Sequence, residues 1–421
     1  MIKFKTLKIN ITPNQPSRLI GMNKKEFSKG IHNDLEINAM VFRYDQKNIF
    51  FISIDTLFVS LPIKKFITEE INNTFGLTNE SDILIMSTHT HYAPSIEEHR
   101  IDLGIKDNKY FDFIKVKIKE IIHLLNEMTF VDVDIFLQIG NSEKLTNNRR
   151  RKVRVITNYF KQFIAMEPNL SGFKREKIEI INIRNKQNQL IGLLWSFPCH
   201  PTNLYDKSLI SSEFIGEIRK AIRKKINSND LGIIYLPGFS GDVRASPPKR
   251  LSIGKIIRDL LQLSYPVKYY RFQNKAEYTA WINSLTHKFM YIWDNSEKIE
   301  VGDLALKTQF IKKEIISILG IKVKGTNDII FRKVSFGNKL AFITISAEVV
   351  AEYIQILESQ FNEEICIFVG YVDEVFGYLP TLKQIEEGGY ESKDYFHAFL
   401  VSGNFSSQIE NNIKACFKEM N

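Results

Sequence analysis

The run Asp82-Ile-Leu-Ile-Met86, continued by Ser87-Thr-His-Thr-His91, decides how the rest of the chain is read. A short apolar run of this kind has the pattern of a buried strand. Two histidines, His89 and His91, stand at its end. Side chains two apart on a strand point the same way, so both imidazoles can face one pocket. That spacing suits a metal site, although a His-x-His pair also arises by accident in a core or on a surface.

Working outward, Ile37 to Tyr44 and Asn48 to Ile54 read as two strands joined by Asp45-Gln-Lys47, the second running into Ser53-Ile-Asp55. Asp55 at a strand end is placed to orient a histidine. Pro62 to Phe75 has helical spacing, with Gly76 as its stop. Strand, helix and strand in this order predict an α/β (α+β mixed) fold of layered mixed β-sheets with surrounding helices, its active residues in loops at strand ends. Met1 to Asn10 alternates apolar and basic residues, lacks the apolar core of a secretory leader, and reads as an edge strand.

Downstream, Asn108 to Met128 is an amphipathic helix, and Ile178 to Ile183 with Leu190 to Phe197 a β-pair ending in Pro198-Cys-His-Pro-Thr202. His200 thus stands at a strand end, as His89 does. Ile233 to Leu236 runs into the tight turn Pro237-Gly-Phe-Ser-Gly-Asp-Val-Arg244. A hairpin around Gly337-Asn338 leads to Ala347-Glu-Val-Val350, which puts Glu348 where strand passes into helix. Tyr265 to Gln309 is aromatic and lysine-rich: either an insertion that lines a pocket or an aromatic part of the core.

The 421 residues carry a net charge of +9, with a basic cluster at Arg149-Arg-Arg-Lys-Val-Arg154. Such a cluster attracts anions, an anionic membrane surface among them, but no zinc-finger, RNA-recognition or helix-turn-helix pattern accompanies it, so a solvated face is expected and nucleic acid is not. No apolar run of about 18 residues is present to cross a membrane. Cys199, Cys366 and Cys416 are odd in number and far apart, which suits the cytoplasm better than a disulfide framework.

Taken in order, Gly30-Ile31, Ser53-Ile-Asp55, Ser87 to His91, Asn148-Arg149, Cys199-His200, Ser212 to Gly216, Ser240-Gly-Asp-Val243, Glu348, Gly377-Tyr378 and Tyr390-Glu391 resemble the neutral (non-lysosomal) ceramidases and their bacterial relatives. The resemblance spans nearly the whole chain and implies one zinc hydrolase domain over 1–421, with a candidate insertion at 265–310. It implies that zinc is held by His89, His200, Glu348 and Tyr378 and that zinc-bound water attacks an N-acyl carbonyl. Arg149, with Arg150 as the alternative, would stand near that carbonyl, Tyr390 would help stabilise the oxyanion, and His91 would pass a proton to the leaving amine.

The chain also departs from that family. Ceramidases carry a serine directly after Gly-Asp-Val, where this sequence has Arg244. An arginine there points either to an anionic group on the substrate, bound by Arg244 together with the basic cluster, or to a salt bridge with Asp242 or a neighbouring acid. Neither a secretion signal nor an immunoglobulin-like C-terminal domain is read in the sequence. The expectation is therefore N-deacylation of a small cytoplasmic metabolite, sugar- or lipid-derived. True ceramide hydrolysis, ester or acyl-transfer chemistry on the same scaffold, and non-catalytic binding of an anionic ligand or membrane surface are the alternatives.

Overall fold

Alternation along the strand Glu36–Tyr44 sets the layering: Ile37, Ala39 and Val41 bury themselves on one side, Met40 and Phe42 on the other. The computed structural model describes residues 1–21, 26–155, 158–248, 252–266, 269–301, 305–361 and 364–420. Its largest sheet runs Ile233–Leu236, Leu190–Ser196, Lys177–Asn185, Val131–Asn141, Lys3–Asn10, Glu36–Tyr44, Lys47–Ile54, Ile83–Ser87. A second sheet runs Leu306–Glu314, Asp328–Phe336, Leu340–Ile345, Ile365–Val369.

The two sheets face each other across one apolar layer, in which Phe42, Phe51 and Leu84 meet Phe336, Phe342 and Ile367. Helices cover both outer faces. Leu61–Phe75 and Asn108–Glu127 bury Ile63, Ile67, Ile114 and Ile118 against the large sheet, and Phe214–Ile226 and Lys275–Asn295 cover the rest of it. Tyr353–Glu358 and Ile409–Lys418 pack on the second sheet. The mixed α/β expectation therefore holds, in four layers: helix, sheet, sheet, helix.

Three parallel strand pairs position the site. They are Ile83–Ser87 beside Lys47–Ile54, Leu190–Ser196 beside Ile233–Leu236, and Leu340–Ile345 beside Ile365–Val369. The carboxyl ends of parallel strands open onto loops at one edge of a sheet, where ligands gather in such folds.

The N-terminal strand is not an edge. Lys3–Asn10 pairs along its whole length with Glu36–Tyr44 and, at Lys3 and Phe4, with Asp132 and Val131. Its basic residues do not all face solvent: Lys3 is exposed, but Lys5 is buried with its ammonium over the rings of Phe75 and Phe130.

The aromatic segment divides between its two readings. Within the helix Lys275–Asn295, Trp281, Leu285, Phe289 and Trp293 are core, and the indole N–H groups of Trp281 and Trp293 donate to Leu145 O (2.9 Å) and Asn182 Oδ1 (2.7 Å). Just before the helix, Tyr270, Arg271 and Phe272 line a cavity instead.

The basic cluster is not a solvated face. Its first two arginines lie buried on the strand Thr146–Val155, and Arg151 pairs with Glu167 and Asp259. It therefore presents no continuous basic surface to a membrane. Exposed apolar side chains gather instead on the helix Ile253–Leu260, at Ile253, Ile256, Ile257 and Leu260. Among the described residues no helix is long and apolar enough to cross a membrane. All three cysteines are free and buried.

Candidate metal centre

His89 follows the strand Ile83–Ser87 by two residues and takes a left-handed backbone, with φ of 61°. Strand alternation therefore does not extend to it, since the strand has already ended. The turn brings the two imidazoles together all the same, with ring centroids of His89 and His91 4.9 Å apart. A left-handed histidine is uncommon and is held only where its surroundings fix it. Here His89 Nδ1 is 2.9 Å from Leu57 O. A carbonyl only accepts, so Nδ1 carries the proton and Nε2 is left as a bare lone pair.

His200 enters from the other side, four residues past the strand Leu190–Ser196. Its Nδ1 faces Ser240 O at 3.4 Å, and its Nε2 lies 3.1 Å from His89 Nε2 and 3.2 Å from His91 Nε2. Burial, with the neighbouring Arg149 and His89, holds the His200 pKa well below its ordinary value. Burial, with the neighbouring His89 and Arg149, does the same to His91. Neutral imidazoles whose Nε2 atoms converge at this range repel unless a cation lies among them.

Glu348 supplies the negative charge. It begins a two-residue bridge, parallel to Tyr378–Leu379, in which Glu348 and Tyr378 are partners. Its Oε2 is buried without a hydrogen-bond partner and lies 3.3 Å from His89 Nε2 and 3.9 Å from His200 Nε2. An orphaned carboxylate oxygen beside the imidazole nitrogens of His89 and His200 is the donor chemistry of a divalent metal, and His89, His91 and His200 can hold one. Two glycines permit the close approach. A Cβ on Gly241 would fall 2.8 Å from Glu348 O, and one on Gly21 would fall 2.5 Å from His91 Nδ1.

Arg149 is buried beside this cluster. Its Nε donates to Glu391 Oε1 at 2.7 Å, and its Nη2 donates to the Tyr378 hydroxyl at 3.2 Å. Tyr390 completes the wall, its ring 5.4 Å from that of Tyr378 and facing the Arg149 guanidinium. Burial and the nearby Glu348 push the Tyr390 hydroxyl up to about 12, so it remains a hydrogen-bond donor at neutral pH. Tyr390 opens a π-helical turn, Tyr390–Asp394, an irregularity often found at functional sites.

Two residues read from the sequence as part of the site lie elsewhere in function. Asp55 contacts no histidine. Its Oδ2 accepts from Arg219 Nη1 (2.6 Å) and from the backbone of Glu36 (2.7 Å), because the helix Phe214–Ile226 lays a buried arginine across the strand end. Arg150 is committed to Glu391 Oε2 (2.7 Å) and Gly388 O (2.8 Å), leaving it no face toward a substrate. Arg244 lies on the short strand Val243–Ala245, paired with Thr146–Asn148, and makes no ion pair with Asp242. Asp242 instead accepts from Asn148, Gln384 and the amide of Ala351.

Two residues were missed. Glu391 holds both arginines, and its only signal was an acid directly after Tyr390. Tyr371, two residues past the strand Ile365–Val369, lies with its ring 4.3 Å from that of His89 and brings its hydroxyl to 3.4 Å from His200 Nδ1.

The architecture matches solved enzymes. The neutral ceramidase from Pseudomonas aeruginosa superposes with a TM-score of 0.75 at 15% identity, and a ceramidase complexed with C2 with a TM-score of 0.74 at 14%. In both comparisons all of this chain is covered, against 74% of the other. The fold is thus that of the neutral ceramidases. No protein-family model matches the sequence, and no curated protein does.

Proposed function

We propose that this chain is a zinc-dependent amide hydrolase that removes an N-acyl group. The observation that carries the reading is the convergence of the Nε2 atoms of His89, His91 and His200, with the unpartnered Oε2 of Glu348 3.3 Å from His89 Nε2 and 3.9 Å from His200 Nε2, beside the buried Arg149. Neutral nitrogen and carboxylate donors in this number suit zinc. His89, His200 and Glu348 form the heart of the donor set, and His91 adds a third nitrogen. Tyr378 is the neighbour whose hydroxyl already accepts from Arg149.

Zinc in that position supplies a Lewis acid and lowers the pKa of water to about 7. The protein's own groups do the rest. Arg149, fixed by Glu391, and the Tyr390 hydroxyl are donors for the carbonyl oxygen as it gains charge, each such donor being worth roughly 3 kcal/mol of barrier. Glu391 keeps the guanidinium oriented before substrate arrives, so little reorganisation is needed in the reaction. In the overall reaction water gives its hydroxyl to the acyl carbon and a proton to the amine nitrogen as the C–N bond breaks. The fold shared with ceramidases supports amide chemistry, and the family serine is replaced by Arg244.

The test is metal content by mass spectrometry combined with release of amine from a panel of N-acyl compounds, before and after chelation. About one zinc per chain, with turnover lost on chelation and restored by zinc, is expected. Folded protein that binds no zinc, or turnover indifferent to its removal, would sink the reading.

A further inference from the structure

Beside the metal centre lies a cavity bounded by Arg149, Thr202, Tyr205, Lys207, Arg244 and Arg271. Arg149 belongs to both sites, and Thr202 stands two residues past His200, so the cavity adjoins the proposed reaction centre. Its charges do not cancel. Arg149 is neutralised by Glu391, and the one acid in the wall, Glu167, is taken by Arg151 and by Ser264 and the amide of Tyr265.

That leaves Lys207, Arg244 and Arg271, none of which pairs with a carboxylate among the described residues. Arg244 spends one donor on Thr202 O at 3.1 Å, and Arg271 Nε is buried without a partner. The three cations repel one another: burial first, then Arg149 and Arg271, bring Arg244 down to about 10, and burial first, then Arg271 and Arg244, lower Lys207. Such an arrangement raises the energy of the empty cavity and is relieved by an anion. Guanidinium forks match the planar geometry of carboxylate and the oxygens of phosphate. Tyr205, Tyr270 and Phe272 supply an aromatic wall for the remainder of a ligand.

We propose that this cavity is an oxyanion subsite, in which Arg244, Arg271 and Lys207 bind a carboxylate or phosphate borne by the substrate, so that the chain acts on anionic N-acyl compounds. The cleavage part of this statement rests on the amide-hydrolase reading above; the anion site does not.

Two measurements keep them apart. The first is binding of inorganic phosphate by calorimetry to the metal-loaded protein, its Arg271→Gln and its Lys207→Met variants, with metal content determined on the same samples. Phosphate also binds metal ions, so Arg271→Gln is the decisive variant: Arg271 touches none of the metal-ligand candidates. Affinity about tenfold weaker in Arg271→Gln at unchanged metal content, and largely recovered in Arg271→Lys, is expected. Equal affinity in all of them would overturn the subsite.

The second is kcat/KM for an N-acyl amino acid against its carboxamide, and for an N-acyl aminoalkyl phosphate against the alcohol. A preference of about tenfold or more for the charged member of either pair, reduced in Arg271→Gln, supports the proposal and says which oxyanion is used. Equal turnover of charged and neutral members overturns the subsite while the hydrolase reading stands. No turnover of any amide, with phosphate affinity still falling in Arg271→Gln, removes the hydrolase reading and retains the anion site.

Discussion

His89 Nε2 and His200 Nε2 face each other at 3.1 Å, although 111 residues separate them in the chain. Each Nδ1 is turned toward a backbone carbonyl, so the two lone pairs point inward. A cation between them explains the arrangement, and binding it stabilises the fold by mass action. His200→Ala should lose the bound metal and its thermal shift. His91→Ala and Tyr378→Phe decide the remaining donor: metal lost in the first and kept in the second assigns His91. Metal kept in His91→Ala with turnover abolished would make His91 the proton carrier beside the metal.

Arg149 should matter to rate and not to metal. Its replacement by Met leaves Glu391 paired with Arg150, so the protein should fold with its metal content unchanged. Turnover should fall by about 10² to 10³, as when one oxyanion donor is removed. Single-turnover kinetics with metal content on the same sample checks this, and an unchanged rate would take Arg149 out of the chemistry.

Asp55→Asn separates a structural from a catalytic role. Removing its charge leaves Arg219 buried with a weaker partner, which should lower stability by about 3 kcal/mol or more. Metal content of the folded variant should match the parent. A loss of metal without a shift in the urea midpoint would restore the link to a histidine.

Acid sensitivity should trace to Glu36. Burial alone would raise its carboxyl, but Arg223 and Arg219 override it and hold the pKa at about 2 against an ordinary 4.5. The native state therefore releases this proton more readily than the unfolded one. The stabilisation is complete above about pH 4.5 and is lost as pH falls toward 2. Urea midpoints between pH 6 and pH 2.5 should drop less steeply in Glu36→Gln than in the parent; identical slopes would place the acid sensitivity elsewhere.

Trp281 tests the aromatic segment. Truncation to Ala empties a core position and removes the donor to Leu145 O, which should cost about 3 to 5 kcal/mol. A change below about 1 kcal/mol would mean that this helix is a detachable cover and not part of the core.

Much of the centre was legible before any coordinates. Local pattern showed that His89, His200 and Glu348 follow short apolar strands, and ends of strands are where such folds gather their chemistry. The two runs Ile37 to Tyr44 and Asn48 to Ile54 gave the hairpin, which the structure closes more tightly by pairing Tyr44 with Lys47, a residue the sequence reading left in the turn. The basic cluster misled because charge in a sequence carries no sign of burial. Arg149 and Arg150 are inside because Glu391, 242 residues after Arg149, arrives to neutralise them.

The sequence by itself determined the main strands and helices and the mixed α/β class, because periodicity is a local property, and its ordered motifs offered candidate metal ligands through their resemblance to a known family. Tertiary structure alone decided which charges were paired. It gave Asp55 to Arg219 and Glu391 to two arginines, and it left Arg244, Arg271 and Lys207 facing one cavity whose single acid, Glu167, is paired with Arg151. Electrostatic partners act through space across any separation in the chain, so nothing in the order of residues reveals which of them will meet.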